Sequence, residues 1–207
     1  MATHKKGSLV LDDENVVRWV GKTMAKLKNP TPFLQETGAY MTSSIQKRIE
    51  KGVAPKNAPL TKKMKKGDNT LRDNGIYMNS INYELKGNSA VLVGSPQIQS
   101  RILHKGGVIL PKRAQKLAVP AYEKMWKEQK RLSPRDFLNK LKSQGWRIWF
   151  KEKAIMGTPP GKRTKPVVLY IRKESVKIPA RPHYYVNDGD AEVIDKIFGD
   201  YLKMGKS

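Results

Sequence analysis

Cysteine is absent from this 207-residue sequence, histidine occurs three times, and no long apolar run is present. The absence of cysteine excludes a disulfide framework and any metal site built from thiolates. No apolar segment approaches the roughly 20 residues that a membrane-spanning helix needs. We also expect no signal peptide, because the apolar run Leu9-Val10-Leu11 has only three residues before the acidic residues begin at Asp12. We therefore expect a protein that is made and used in the cytoplasm, without a secretory step or a membrane.

Acidic residues are scarce: 18 Asp and Glu stand against 41 Lys and Arg, which gives a net charge of +23. An excess of this size favours nucleic acid, an acidic membrane surface or an acidic protein as a partner. Residues 105–177 alone hold 20 basic and 5 acidic residues. The length suits one core. We predict a single domain over residues 1–207, with an N-terminal arm at 1–11 and a basic insertion at 112–166.

Helices are predicted where apolar residues recur every three or four positions. The first runs over 13–28, capped by Asp12 or Asp13, and the second begins at Thr31, after Asn29-Pro30, and ends near Gly52. Further helices are predicted at 71–81, at 97–104, within 121–145, where Ser133 and Asp136 resemble a capping box, and at 190–204, where Asp188 or Asp190 is the expected cap.

The strongest strand signal is a hairpin, in which Gly87-Asn88 forms a tight turn between strands at 82–86 and 90–93. Other strands are predicted at 108–110, 117–119, 146–150 and 167–171, with loops at 53–70 and 157–166. These elements predict an α+β fold, with N-terminal helices, a small antiparallel sheet with a hairpin, the basic insertion and a C-terminal helix.

His104 invites a catalytic interpretation, as a general base beside a glycine-rich turn. The alternative is a histidine that packs or forms hydrogen bonds in that turn. The only other histidines are His4 and His183, and no carboxylate spacing indicates a metal site or a triad. We favour the packing interpretation and expect no enzyme activity, no metal and no cofactor.

Basic residues in three stretches are candidates for contact with DNA or an acidic partner. Lysine predominates among them, and lysine attracts a phosphate backbone without reading bases. A solvated loop is the alternative for each stretch. Nearby aromatic residues, namely Trp126, Trp146, Trp149 and Phe150, could stack on single-stranded bases, although we favour core packing for most of them. The candidates are Lys62, Lys63, Lys65, Lys66, Lys112, Arg113, Lys116, Lys162, Arg163 and Lys165.

Several short motifs, in order along the chain, resemble the phage virion morphogenesis (tail completion) family, which includes the Mu-like G protein. Residues 102–107 (ILHKGG) resemble its Ile-His-Gln-aromatic-Gly-Gly motif, and residues 116–120 (KLAVP) resemble its Leu-Ala-Ile-Pro motif. Residues 168–182 (VLYIRKESVKIPARP) resemble its strand that ends in Ile-Pro-Ala-Arg-Pro. Lys105 stands where Gln is usual, and His183-Tyr184 where Phe-Leu is usual. Weaker matches are 71–81 (LRDNGIYMNSI) and 91–95 (VLVGS).

The resemblance implies a structural virion protein at the neck or tail end, assembled in the bacterial cytoplasm. Its expected partners are further copies of itself in a ring, by resemblance a hexamer, then neighbouring neck or tail proteins, and genomic DNA in the channel. Arg181 is implied to form a structural ion pair. The residues implied to hold the family's structural motif are Gly94, His104, Gly106, Gly107, Pro179, Arg181 and Pro182.

Two other functions remain open from the sequence. A non-specific nucleic-acid-binding protein would explain the charge, and its binding would weaken steeply with salt. A hydrolase using His104 or His183 with a carboxylate has only the presence of those residues in its favour.

Overall fold

A computed structural model describes residues 14–65, 68–121, 127, 132–161 and 164–203. The chain divides into two compact units. Unit 1 comprises residues 1–42, 82–93 and 186–207, and unit 2 comprises residues 43–81 and 94–185. The predicted arm at 1–11 and the predicted caps Asp12 and Asp13 lie outside the described residues. The single domain and its insertion at 112–166 stay predictions.

The helices and strands confirm the α+β class. The helices are α1 (Glu14–Lys28), α2 (Thr31–Lys51), α3 (Pro59–Met64), α4 (Ile76–Asn79), α5 (Ser100–Lys105), α6 (Pro134–Ser143) and α7 (Asp188–Lys203). The strands are β1 (Asn82–Lys86), β2 (Ala90–Gly94), β3 (Gly107–Ile109), β4 (Leu117–Pro120), β5 (Arg147–Phe150), β6 (Ala154–Thr158), β7 (Val167–Lys173) and β8 (Val176–Ile178). No helix in the described ranges is long and apolar enough to cross a membrane.

Unit 1 packs the two terminal helices against each other and the hairpin against α2. The Tyr201 hydroxyl donates to the Lys26 carbonyl at 2.8 Å, and Lys26 Nζ donates to the carbonyls of Tyr201 and Leu202 at the end of α7. The hairpin crosses α2 at Gly38, where an added Cβ would lie 2.6 Å from the Tyr83 ring. Only glycine therefore allows this close approach.

Unit 2 contains a four-stranded antiparallel sheet in the order β4-β7-β6-β5, and a separate antiparallel pair of β3 and β8. The amphipathic helix α6 covers one face of the larger sheet, where Phe137 and Leu141 pack in one cluster with Leu169 and Tyr170, both 0% exposed. Burial of an aliphatic or aromatic side chain of this size stabilises a fold by about 1.5–3 kcal/mol.

Several predicted boundaries were wrong for local reasons. The predicted loop at 53–70 contains α3, which begins at Pro59 with proline in the first turn. The predicted helix at 71–81 is only α4, because Gly75 has a left-handed φ of 80°. The predicted loop at 157–166 begins inside β6. Of the helix predicted within 121–145, the structure describes α6, together with Ala121, Lys127 and the residues that flank α6.

The caps of the last two helices show one success and one error. Ser133 accepts a hydrogen bond from the Asp136 N–H, as predicted, and its hydroxyl donates to the Asp136 carboxylate. The cap of α7 is Asn187, not Asp188 or Asp190. The Asn187 side chain accepts from the Asp190 N–H at 2.8 Å, and the Asp190 carboxylate accepts from the Asn187 N–H at 3.0 Å, which makes a reciprocal capping box.

Candidate functional site

The motif residues of unit 2 meet where β3 pairs with β8. Gly107 lies opposite Ile178, so the turn after α5 lies against the segment 178–184. The Arg181 N–H donates to the carbonyls of Leu103 and His104, at 3.1 and 3.2 Å. We call this contact the motif cluster and define it as Tyr77, Ser100, His104, Gly106, Arg181, His183 and Tyr184.

Gly106 allows this contact because it has no side chain. Its φ of 72° and ψ of 179° are almost unique to glycine. An added Cβ would lie 2.6 Å from the Ala180 nitrogen and 3.0 Å from the Ile178 oxygen, and both are backbone atoms. Two backbone segments thus cross closely at Gly106, the first residue of the double glycine.

Arg181 is 7% exposed, and its guanidinium anchors the loop after α2. Nε donates to the Pro55 carbonyl at 2.9 Å and Nη2 to the Lys56 carbonyl at 3.3 Å. The resemblance implied an ion pair here, but the partners that the structure shows are carbonyl oxygens. Burial lowers the pKa of Arg181.

His183 is fully buried and bonded on both ring nitrogens. Nδ1 lies 2.6 Å from the Arg181 carbonyl, which can only accept, so Nδ1 carries the proton. Nε2 then accepts from the Tyr77 hydroxyl at 2.7 Å. The Tyr77 hydroxyl also lies 3.2 Å from both Ser100 Oγ and the Tyr184 hydroxyl. These bonds fix a neutral imidazole.

The electrostatics of the cluster come mainly from burial. Burial lowers the pKa of His183, with a smaller contribution from His104 in the same direction. Burial likewise raises the pKa of Tyr77. Both groups are therefore held neutral near pH 7, as packing groups are.

His104 acts as a hydrogen-bond acceptor in this cluster. Its Nδ1 accepts from the backbone N–H groups of His183 and Tyr184, at 3.2 and 3.4 Å. In the described part of the chain neither imidazole is bonded to a carboxylate, and no group of three or more His, Asp or Glu could hold a metal ion. This placement agrees with the packing interpretation of His104.

Sequence reasoning missed four members of the network. Tyr77, Ser100 and Tyr184 are scattered along the chain, and no spacing links them. The fourth is Arg48, whose guanidinium donates to the carbonyls of His183 and Tyr185 and lies 4.0 Å above the Tyr185 ring. The one available signal was the departure from the family pattern at His183-Tyr184, since two polar side chains in an apolar position need partners.

The other motif residues lie at strand ends or beside Arg181. Gly107 begins β3, and Gly94 ends β2. Pro179 and Pro182 are exposed and flank the segment that holds Arg181. The roles that the resemblance implies for these residues stay predictions.

We expect protein stability to depend on the protonation of His183. Because burial lowers its folded pKa below the ordinary 6.5, the unfolded chain binds a proton first as pH falls. The free energy of unfolding should then fall below about pH 6.5, with a slope of at most about 1.4 kcal/mol per pH unit from this one group. Urea denaturation between pH 7.5 and 5 measures it.

Two variants separate this effect from general destabilisation. His183→Phe removes the titrating group and should flatten the profile relative to the parent chain. Tyr77→Phe removes a hydrogen bond but keeps the buried imidazole, so it should lower stability and retain the slope. Parallel profiles for the parent and His183→Phe would show that His183 does not contribute to the pH dependence.

The predicted basic contacts fall on separate segments. Lys62 forms an ion pair with Asp68 at 2.8 Å, and Lys65 donates to the Asn69 carbonyl at 2.7 Å. Lys63 is exposed. Lys66, Lys162 and Arg163 lie outside the described residues. In the rest of unit 2, Lys112 and Arg113 are exposed before β4, Lys116 lies 3.6 Å from Glu174, and Lys165 precedes β7.

The aromatic residues divide in the same way. Trp146 packs partly buried against the cluster beneath α6, and Trp149 is half-buried, as core packing predicts. Phe150 is 60% exposed, so among the three described aromatic residues it is the one that does not pack in the core. Trp126 lies outside the described residues.

Comparison with known protein families gives a match. The model of the phage virion morphogenesis family matches residues 11–138, more than half of the chain. This range includes the motifs at 71–81, 91–95, 102–107 and 116–120, and it ends before the segment 168–182. No curated protein and no solved structure matches the chain. The chain therefore belongs to the phage virion morphogenesis family.

Proposed function

We propose that this chain is a structural subunit that completes the phage tail or joins it to the head as part of a neck ring. The observation that carries the proposal is membership of a virion morphogenesis family over residues 11–138. A role in building the virion follows from the family. The position at the neck or tail end, and the hexameric ring, are our proposal.

The structure of the motif cluster supports a structural role. His104 and His183 are used in hydrogen bonds that hold backbone segments together. A general base needs a ring nitrogen that can reach a substrate proton, and His183 has both nitrogens occupied inside the fold. The cluster thus serves the rigidity of unit 2, which a ring subunit needs in order to repeat one contact accurately.

An exposed apolar strand supports contact between copies. Val108 and Ile109 in β3 are 57% and 40% exposed, and Leu110, directly after the strand, is 63% exposed. Among the described strands β3 pairs only with β8. A consecutive apolar row beside an open strand edge is typical of a surface that another chain covers. We place one side of the proposed subunit contact here.

Complementation of a phage with a nonsense mutation in this gene tests the proposal. The double variant Val108→Asp/Leu110→Asp should fold normally, because both side chains are exposed, but should fail to restore plaques or joined particles. Ile98→Asp is the matched control: Ile98 is 98% exposed and lies away from β3 in the sequence, and this variant should restore both. Full complementation by the double variant would contradict the contact at β3.

A further inference from the structure

One end of the four-stranded sheet gathers cations that the sequence had not grouped. Leu117 pairs with Lys173, and Ala154 pairs with Ile171. The start of β4, the end of β7 and the β5–β6 turn therefore lie at the same end of the sheet. These segments line an open groove of about 340 Å³ with Lys116, Lys153, Arg172 and Lys173, which we call the basic groove. All of them belong to unit 2.

The framework of the basic groove is fixed by backbone hydrogen bonds. The Arg172 N–H donates to the Lys153 carbonyl at 2.9 Å, which ties the β5–β6 turn to β7. Arg172 Nη1 donates to the Lys151 carbonyl at 2.9 Å, which orients the guanidinium. Nε and Nη2 of Arg172 bond to none of the described residues, so they remain available to a ligand.

The acidic residues that line the basic groove do not neutralise its cations. Glu152 and Glu174 also line it, against four cations. Glu174 is 84% exposed and lies 3.6 Å from Lys116, a weak surface pair. Lys153 and Lys173 are exposed, and neither has a carboxylate or hydrogen-bond partner among the described residues. Unpaired cations at one fixed place create a positive potential that attracts an anion.

The predominance of lysine over arginine in the basic groove favours phosphate over carboxylate as the bound anion. Three of the four are lysines, whose ammonium groups act as mobile point charges suited to phosphate oxygens. A carboxylate of an acidic protein is held best by a free arginine fork, but one arm of Arg172 is used by the Lys151 carbonyl. The loop that leads into β4 at this end of the sheet carries two more exposed cations, Lys112 and Arg113.

We propose that the basic groove binds the phosphodiester backbone of double-stranded DNA, without reading its sequence. This site goes beyond the proposed ring role, because a single subunit already contains all of it. In a ring it would present one such site per copy to DNA in the channel. Among the basic candidates from the sequence, Lys116 lines the groove, and Lys112 and Arg113 lie in the loop that leads into β4 beside it. Lys63 and Lys165 do not line it.

Fluorescence anisotropy with a labelled duplex of random sequence tests the proposal on the purified full-length chain. Wild-type affinity should fall as salt rises, because each neutralised phosphate releases counterions. The variant Lys153→Gln/Lys173→Gln should bind about 10-fold or more weakly at low salt. The slope of log affinity against log salt concentration should be smaller in magnitude by about 1 to 2, since about one unit is lost for each phosphate contact removed.

The matched control is Lys63→Gln/Lys165→Gln, which removes the same charge from two exposed lysines outside the basic groove. It should keep most of the affinity and the wild-type slope. An equal loss in both pairs would overturn the site, because only net charge would then matter. Undetectable duplex binding at low salt would also overturn it, as would polyglutamate competing as well as DNA at equal charge. None of these outcomes bears on tail completion, which is tested by complementation.

Discussion

Replacement of Gly106 by alanine is expected to destabilise the protein by roughly 3–6 kcal/mol, which combines backbone strain with overpacking. The residue has φ 72° and ψ 179°, and a Cβ would lie 2.6 Å from the Ala180 nitrogen. Because the obstacle is backbone, no side chain can rotate away. The pairing of β3 with β8 must shift, and the motif cluster shifts with it. Thermal and urea denaturation of the purified variant measure the loss.

Gly87→Ala is the matched control for this prediction. Gly87 also has a positive φ, of 62°, but an added Cβ would meet nothing within 4 Å. The variant should therefore lose only the left-handed strain, about 1–2 kcal/mol. If Gly106→Ala and Gly87→Ala cost the same, the close crossing at Ala180 does not contribute, and our account of Gly106 is wrong.

Replacement of Arg181 by methionine is expected to cost about 2–5 kcal/mol, from two charge-assisted hydrogen bonds and the carbonyls left without a partner. Methionine keeps most of the buried length but cannot donate to the carbonyls of Pro55 and Lys56. Amide hydrogen exchange should show the greatest loss of protection in residues 53–70 and 176–184, because Arg181 joins these segments. Chemical denaturation gives the size of the loss.

Arg135→Met is the control for the loss of an arginine. Arg135 is exposed on α6, and surface changes of this kind stay within about 0.5 kcal/mol. Arg181→Lys adds a second comparison, because it keeps the charge but lacks the planar fork. If Arg181→Lys is as stable as the parent chain, the positive charge alone stabilises this position. The two hydrogen bonds of the guanidinium to the carbonyls would then not be needed.

Local elements could be predicted from the sequence because their causes are local. Pro32 in the first turn of α2, Ser133 before Pro134, and Gly87-Asn88 in the hairpin act within a few residues of where they stand. The error at α7 has the same origin. The segment 187–190 holds three side chains able to cap, and only the reciprocal bonds between Asn187 and Asp190 distinguish them.

The motif cluster and the basic groove could not be predicted, because their causes are not local. Tyr77 and His183 stand 106 residues apart, and their contact depends on how β8 pairs with β3. The basic groove arises from the register of β4, β6 and β7. The sequence grouped lysines by runs along the chain, whereas an antiparallel sheet groups the residues at strand ends.

The hydrogen bonds of His183 and Tyr184 explain how two polar side chains fit where the resemblance implies Phe-Leu. A phenylalanine at 183 could pack beside Tyr77 but could not accept its hydroxyl hydrogen. His183 accepts it, and Tyr184 joins Ser100 around the same hydroxyl. The two polar residues therefore form one network with Tyr77, and we expect substitutions at these positions to affect each other.

Electron microscopy of a lysate from phage carrying a nonsense mutation in this gene tests the central claim most directly. A subunit that completes the tail or joins it to the head predicts filled heads separated from tails, or tails with defective upper ends. Supplying the chain from a plasmid should restore joined particles. Normal, infectious particles in the absence of this chain would contradict the proposed function.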